Sequence, residues 1–218
     1  MTLLKLVRQD VVDFLTNHNE LMFNERDFQI QLAMYLIQSG KYDVELEYSI
    51  PSDVIEQYKK EWGKELRMDI LVNKDNEYLP IELKYKTTSA RVDILRFGEL
   101  ISDIEVLKKH GAQDLGMYDF WKDVRRIELV RNRFTNVKNG LAVFVTNDMK
   151  YLRPSKTTSN NFLFNMDNGI HGKVKHWANA NSSTFNTHPD FAVEKEYEIS
   201  WRNTAFDCIP FKYCIVEI

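Results

Sequence analysis

The stretch MDILVNKDNEYLPIELKYKT, Met68 to Thr87, decides the reading of this chain. Two runs of alternating apolar residues, Leu66–Asn73 and Tyr78–Tyr85, enclose the polar Lys74-Asp75-Asn76-Glu77. Alternation at period two marks half-buried strands, and an Asx-rich pair between them marks a tight hairpin turn. With Asp75 and Asn76 as the two turn residues, Asp69 stands directly opposite Glu82. Residues opposite each other in an antiparallel pair share a face, with Cβ atoms about 4.5–5.5 Å apart. Lys84 shares that face with Glu82, because strand side chains repeat every two residues. Ile70, Ile81, Leu83 and Tyr85 then point the other way, into the core. Pro80 has no N–H for the ladder and hints at a bulge or an edge.

Two carboxylates and one ammonium therefore converge on one patch. Acids this close raise each other's pKa unless a cation lies between them. Lys84 is one such cation; a hard divalent metal is a better one, since Mg²⁺ is held by one or two carboxylates together with waters and phosphate oxygens. The plainer account is a solvated hairpin face with a cross-strand ion pair, which contributes little.

Working outward, Leu3–Thr16 has apolar residues at helical spacing. A second helix starts behind Asn24 as N-cap, carries Glu25 and Asp27 in its first turn and Phe28, Leu32, Tyr35 and Leu36 as its inner stripe, and ends before Gly40. Asp43–Ser49 alternates as a strand, and Ile55–Lys64 reads as a loop or short exposed helix. ARVDILRFGELISDIEVLKKHG, residues 90–111, reads as a long helix closed by Gly111. DLGMYDFWKDVRRIELVRNRF, residues 114–134, reads as another. GLAVFVTND (140–148) is a buried strand, and EYEISW and CIPFKYCIVEI near the end return to strand chemistry. Order and period give an α+β or mixed α/β chain.

Around the hairpin the residues resemble the PD-(D/E)xK nuclease superfamily, which has the restriction-endonuclease-like fold. The likeness is carried by Asp69, then Glu82-Leu83-Lys84 across a hairpin, behind a helix bearing Glu25. It covers roughly residues 20–146, and Met68 stands where the proline of the name would be. The resemblance implies a mixed central sheet flanked by helices. It further implies that Asp69, Glu82 and the main-chain carbonyl of Leu83 hold Mg²⁺ or Mn²⁺, with Glu25 added directly or through water. Lys84 would act on the attacking water. The implied activity is metal-dependent hydrolysis of phosphodiester bonds in nucleic acid, DNA before RNA, in roles such as bacterial defence, restriction or repair. A homodimer is the form that would cut both strands of a duplex. The alternative is a non-catalytic module of the same fold that binds nucleic acid or protein.

The bare acid-x-lysine motif is weak evidence, since Asp148-Met149-Lys150 repeats it. The context of helix, strand and paired acid carries the information. For Glu25 the plainer account is that an acid in a first turn stabilises the helix dipole. Arg91 and Arg96 follow the motif strand, and Lys122, Arg125, Arg126, Arg131, Arg133 and Lys138 face only Asp123 and Glu128 in their stretch. Such surpluses track a phosphate backbone or form the wet side of an amphipathic helix. His171, His176 and His188 lack the partners of a tetrahedral metal set.

At 218 residues, 44% hydrophobic and 28% charged, the chain reads as a single domain. Its core spans about residues 20–150, with a polar insertion or loop segment at 151–190 and closing strands at 191–218. The net charge of −3 neither advertises nor excludes a nucleic-acid partner, because a local basic face matters more than the sum. Two cysteines, no membrane-length apolar run and a charged, amphipathic start point to the cytoplasm.

Overall fold

The computed structural model describes residues 1–63, 65–179 and 186–218. Along the chain run α1 (Leu3–Asn17), α2 (Glu25–Gln38), β1 (Asp43–Ile50), α3 (Glu56–Trp62), β2 (Leu66–Lys74) and β3 (Glu77–Lys86). Then come β4 (Ala90–Arg96), β5 (Glu99–Leu107), α4 (Gln113–Arg133), β6 (Leu141–Thr146), β7 (Gly169–His171) and β8 (Val174–Lys175). The last elements are β9 (Phe191–Ala192), β10 (Tyr197–Ile199), β11 (Arg202–Phe206) and β12 (Ile209–Glu217). Six strands form one mixed sheet in the order β1-β2-β3-β6-β12-β11, in which only β3 and β6 run parallel.

The central hairpin follows its turn. Asp75 and Asn76 both have positive φ, 50° and 63°, the pair of left-handed residues that matches the twist of the flanking strands. Partners then run from Lys74↔Glu77 to Ile70↔Ile81 without a bulge. Pro80 sits opposite Leu71 in a strand flanked on both sides. Tyr78 donates its N–H to Asn136 on the β6 side, so by alternation the N–H that Pro80 lacks would point the same way. There the β6 ladder starts only at Ile81↔Leu141, so no ladder bond is lost.

α2 is capped as its sequence suggests: Asn24 Oδ1 accepts from the Asp27 N–H at 2.9 Å, and the Asp27 carboxylate accepts from the Phe23 N–H at 3.0 Å. Its buried Phe28, Leu32 and Leu36 pack with Val7, Val11 and Phe14 of α1 over Ile70, Val72, Ile81, Leu83 and Tyr85. The opposite face meets α4, whose Met117, Phe120, Trp121, Val124 and Ile127 cover Met68, Ala142, Phe144 and Cys214. Strand β6 alternates between these two cores and is buried throughout, as a central strand with both faces covered must be.

One expected element is different. Residues 90–111 do not form a helix; they fold into the β4–β5 hairpin, which turns at Phe97 (φ 53°) and Gly98 (φ 84°). Its side chains Leu95, Phe97 and Leu100 are exposed. A period of 3.6 and a period of two both accommodate Val92, Leu95, Ile101 and Ile104, and the left-handed tip tips the balance to the hairpin. Residues 55–64 hold the short α3, apart from Lys64, which lies outside the described residues. The polar segment 150–189 is better packed than its composition suggests. Short turns and two-residue ladders bring Tyr151, Phe164 and Trp177 into the α4 core, and residues 180–185 lie outside the description. Cys208 is exposed, Cys214 is buried and both are free. Among the described residues no helix is long and apolar enough to cross a membrane.

Candidate active site

Pairing between β2 and β3 ends at Ile70↔Ile81, yet β3 continues to Lys86. Beyond that point the N–H groups of Leu83 and Tyr85 face the side that β2 has left. Carboxylates take them. Asp69 Oδ2 accepts from Leu83 N–H at 2.7 Å, and Glu25 Oε2 accepts from Tyr85 N–H at 3.0 Å. Satisfying a backbone donor at a ladder end is worth about 1 kcal/mol net, more with a charged acceptor. Gln29, one turn along α2, donates to the main-chain oxygen of Asp69 at 2.7 Å and to Glu47 at 2.9 Å. The place where two strands part is thus built from acids.

Glu82 and Lys84 project toward α4. Lys84 Nζ lies 2.5 Å from Asp123 Oδ2 and donates to the Leu83 carbonyl at 3.1 Å. Arg126 Nη1 lies 3.1 Å from Asp123 Oδ1, and its Nη2 lies 3.3 Å from Glu82 Oε1. The Glu82 carboxyl lies beside that of Asp69, is 1% exposed, and accepts no directed hydrogen bond on either oxygen.

The electrostatics follow from this crowding. Burial pushes the Asp69 carboxyl above its usual range, with Lys84 pulling it back and Asp123 adding to the rise. Glu82 is driven up further by complete burial, opposed by Arg126 and reinforced by Asp69 and Asp123. Burial works against the Lys84 ammonium, but Asp123, Glu25, Asp69 and Glu82 together outweigh it and hold its pKa above the ordinary lysine value. Lys84 is a fixed cation.

The structure thus brings Asp69, Glu82, Lys84 and Glu25 to one strand end. Of the proposed phosphate contacts it brings only Arg126 there, paired with two acids. Arg125 is buried against Glu128 at 3.1 Å, and Arg91 pairs with Asp103 on the β4–β5 hairpin. Arg96 stacks 4.8 Å over the ring of Phe23, and Lys122 lies 5.3 Å from the ring centroid of Trp62. His171 and His176 contact the main-chain oxygens of Asp167 and Trp177.

Asp123 is the member that sequence reasoning missed. Asp119, Asp123 and Arg126 recur at helical spacing and lie along the α4 stripe that faces β3, with Asp119 close enough to feel both Asp123 and Lys84. The stripe was visible as a pattern, but charges at that spacing usually mark a wet helix face.

Donor chemistry suits a hard divalent ion. Two adjacent oxygen acids, one with both oxygens free of directed donors, and the Leu83 carbonyl are the donors such an ion takes. Among the described residues no three His, Cys, Asp or Glu side chains converge as a full metal cage, so waters or phosphate oxygens would complete the shell. Two clefts lie nearby. A polar one of about 530 Å³ beside α4 is lined by Trp62, Asp119 and Lys122, and an apolar one of about 210 Å³ by Tyr48, Met68 and Phe134. Neither is lined by Asp69, Glu82 or Lys84, although the polar cleft reaches Asp119, one helical turn from Asp123. Compared with known protein families, with characterised proteins and with solved structures, the chain has no match.

Proposed function

We propose that this chain is a divalent-cation-dependent phosphodiesterase of the PD-(D/E)xK type acting on nucleic acid, DNA in the first instance. The observation that carries the reading is the juxtaposition at the β2–β3 divergence. Asp69 and Glu82 lie side by side there, Lys84 follows two residues on, and Glu25 reaches the same strand end from the preceding helix. A helix ahead of a mixed sheet, adjacent strands carrying Asp69 and Glu82-Leu83-Lys84, and a further helix after them are what the resemblance implies, and α2, β2, β3 and α4 stand in that order, which supports the finer fold assignment.

In this reading Asp69, Glu82 and the Leu83 carbonyl would hold Mg²⁺ or Mn²⁺, which supplies Lewis-acid polarisation of a phosphoryl oxygen and a more acidic bound water. The residues themselves do the rest. Lys84, kept protonated by the acids around it, is suited to offset the charge that grows on the phosphoryl oxygens rather than to remove the water's proton. Glu25 and Asp69 fix the β3 backbone with one oxygen each, which aims the Leu83 carbonyl and the Glu82 and Lys84 side chains.

The test is incubation of supercoiled plasmid and of single-stranded DNA with Mg²⁺ or Mn²⁺. Nicking is expected, with a loss of about 10²–10³-fold in Lys84→Ala, the size seen when one charge-stabilising donor is removed. Cleavage at the wild-type rate by that variant would refute the assignment. A non-catalytic binding module is the second reading, favoured by one observation: Glu82 and Lys84 are both ion-paired to α4 and nearly closed off. DNA retained on a filter without any cleavage would select it.

A further inference from the structure

We infer that Arg126 is the built-in counter-ion of the acid pair, which a divalent metal displaces from Glu82 while Asp123 keeps hold of it. This rests on the metal-site reading above and adds what α4 does to it.

Charge gives the first argument. Arg126 Nη2 already lies 3.3 Å from Glu82 Oε1, and Lys84 lies near both Asp69 and Glu82. An ion of charge +2 held by Asp69 and Glu82 would sit directly against these cations. Like charges at that range repel strongly inside a protein, so one of these contacts yields.

Geometry says which. Lys84 is held 2.5 Å from Asp123 and bonded to the adjacent main-chain oxygen of Leu83, so it is fixed from two sides. Arg126 divides its fork. Its Nη1 donates to Asp123 at 3.1 Å and its Nη2 donates to the main-chain oxygen of Arg67, whereas the Nη2 approach to Glu82, at 3.3 Å, is an undirected contact. The Glu82 side is the one that gives way. Arg126 also sits at the edge, with 15% of its side chain exposed, so its guanidinium has somewhere to turn. Asp123, 2% exposed, stays as its anchor. Binding of the ion thereby releases the Arg126–Glu82 contact between α4 and β3 while the Lys84–Asp123 pair still joins them.

The experiment is calorimetric titration of MnCl₂ into the full chain, as wild type, Arg126→Gln and Arg126→Lys, with Asp69→Ala as the site control. Arg126→Gln is expected to bind Mn²⁺ at least about tenfold more tightly than wild type, because the competing cation is gone. Arg126→Lys keeps the charge and is expected to stay within about threefold of wild type. Loss of the guanidinium also leaves Glu82 and Asp123 undercompensated and lowers stability. Thermal melting therefore serves as a second readout: Mn²⁺ should raise the Tm of Arg126→Gln by more than it raises that of wild type. Equal or weaker Mn²⁺ binding by Arg126→Gln, where wild type binds, would overturn the inference and leave the metal site standing. Mn²⁺ binding that survives Asp69→Ala would place the ion elsewhere and overturn both the inference and the metal-site reading. Absence of heat and of thermal shift in both wild type and Arg126→Gln would instead remove the metal site itself.

Discussion

The two faces of the central sheet are built on different terms. Toward α1 and α2, aliphatic and ring carbons meet, and the charged group buried in those helices is Asp10, paired with Lys41 at 2.6 Å at the rim. Toward α4, the buried set includes Glu82, Asp123, Arg125, Glu128, Asp148 and Lys175. Apolar contact is tolerant, since swaps of equal volume are absorbed. Buried ions are not, because each needs its partner and the pair as a whole adds little net stability. Stability alone therefore does not favour such groups under α4, and Glu82 and Asp123 among them belong to the proposed site.

Substitutions of matched size break or sharpen that contrast. On the charged face, Asp123→Asn keeps the volume but leaves Lys84 and Arg126 without their shared acid, and a loss of about 3–5 kcal/mol is expected from urea unfolding. A loss under about 1 kcal/mol would mean that water, not Asp123, neutralises these cations.

Lys175 offers a second case on the same face. Its ammonium lies 3.4 Å over the ring centroid of Trp121, and burial pushes its pKa down to about 7 from the ordinary 10.5. Between those values the unfolded chain binds more protons than the folded one, so stability should rise with pH across the window, by up to about 1.4 kcal/mol per pH unit. The destabilisation is fully present below pH 7 and gone above about 10.5. Lys175→Met is expected to flatten that slope and to raise the urea midpoint at neutral pH. An unchanged slope would show that the lysine finds water in solution. The smallest effect is expected on the apolar face, where Leu32→Met, fully buried, should cost less than about 1.5 kcal/mol.

What the sequence disclosed follows the same division. The β2–β3 hairpin was legible because its register depends on two neighbouring residues, Asp75 and Asn76, and on alternation that extends to both sides of them. The Asn24 cap placed α2, and with it Glu25, for a similarly local reason. The β4–β5 hairpin was not legible from periodicity; its clue was the Phe97-Gly98 tip and the β-branched Val92, Ile94, Ile101 and Ile104 around it. Asp123 and Arg126 were hidden for another reason. Their meaning depends on which face of α4 meets β3, a long-range fact that spacing within one helix does not contain. The polar segment 150–189 looked loose because its few large side chains, Tyr151, Phe164 and Trp177, are far apart in sequence and come together only over α4.

The exposed tip at Phe97 and Gly98 divides the chain at an informative place. Everything before it carries β1, β2 and the acid-bearing β3; everything after it carries α4, β6, β11 and β12. A single cut there by a protease that favours aromatic residues would sever the covalent link between the two halves of the site, while the β3–β6 ladder went on joining them. The nicked protein should elute as one species under native conditions and separate into two bands in denaturant. The two pieces, expressed apart, would then be a natural pair for fragment complementation.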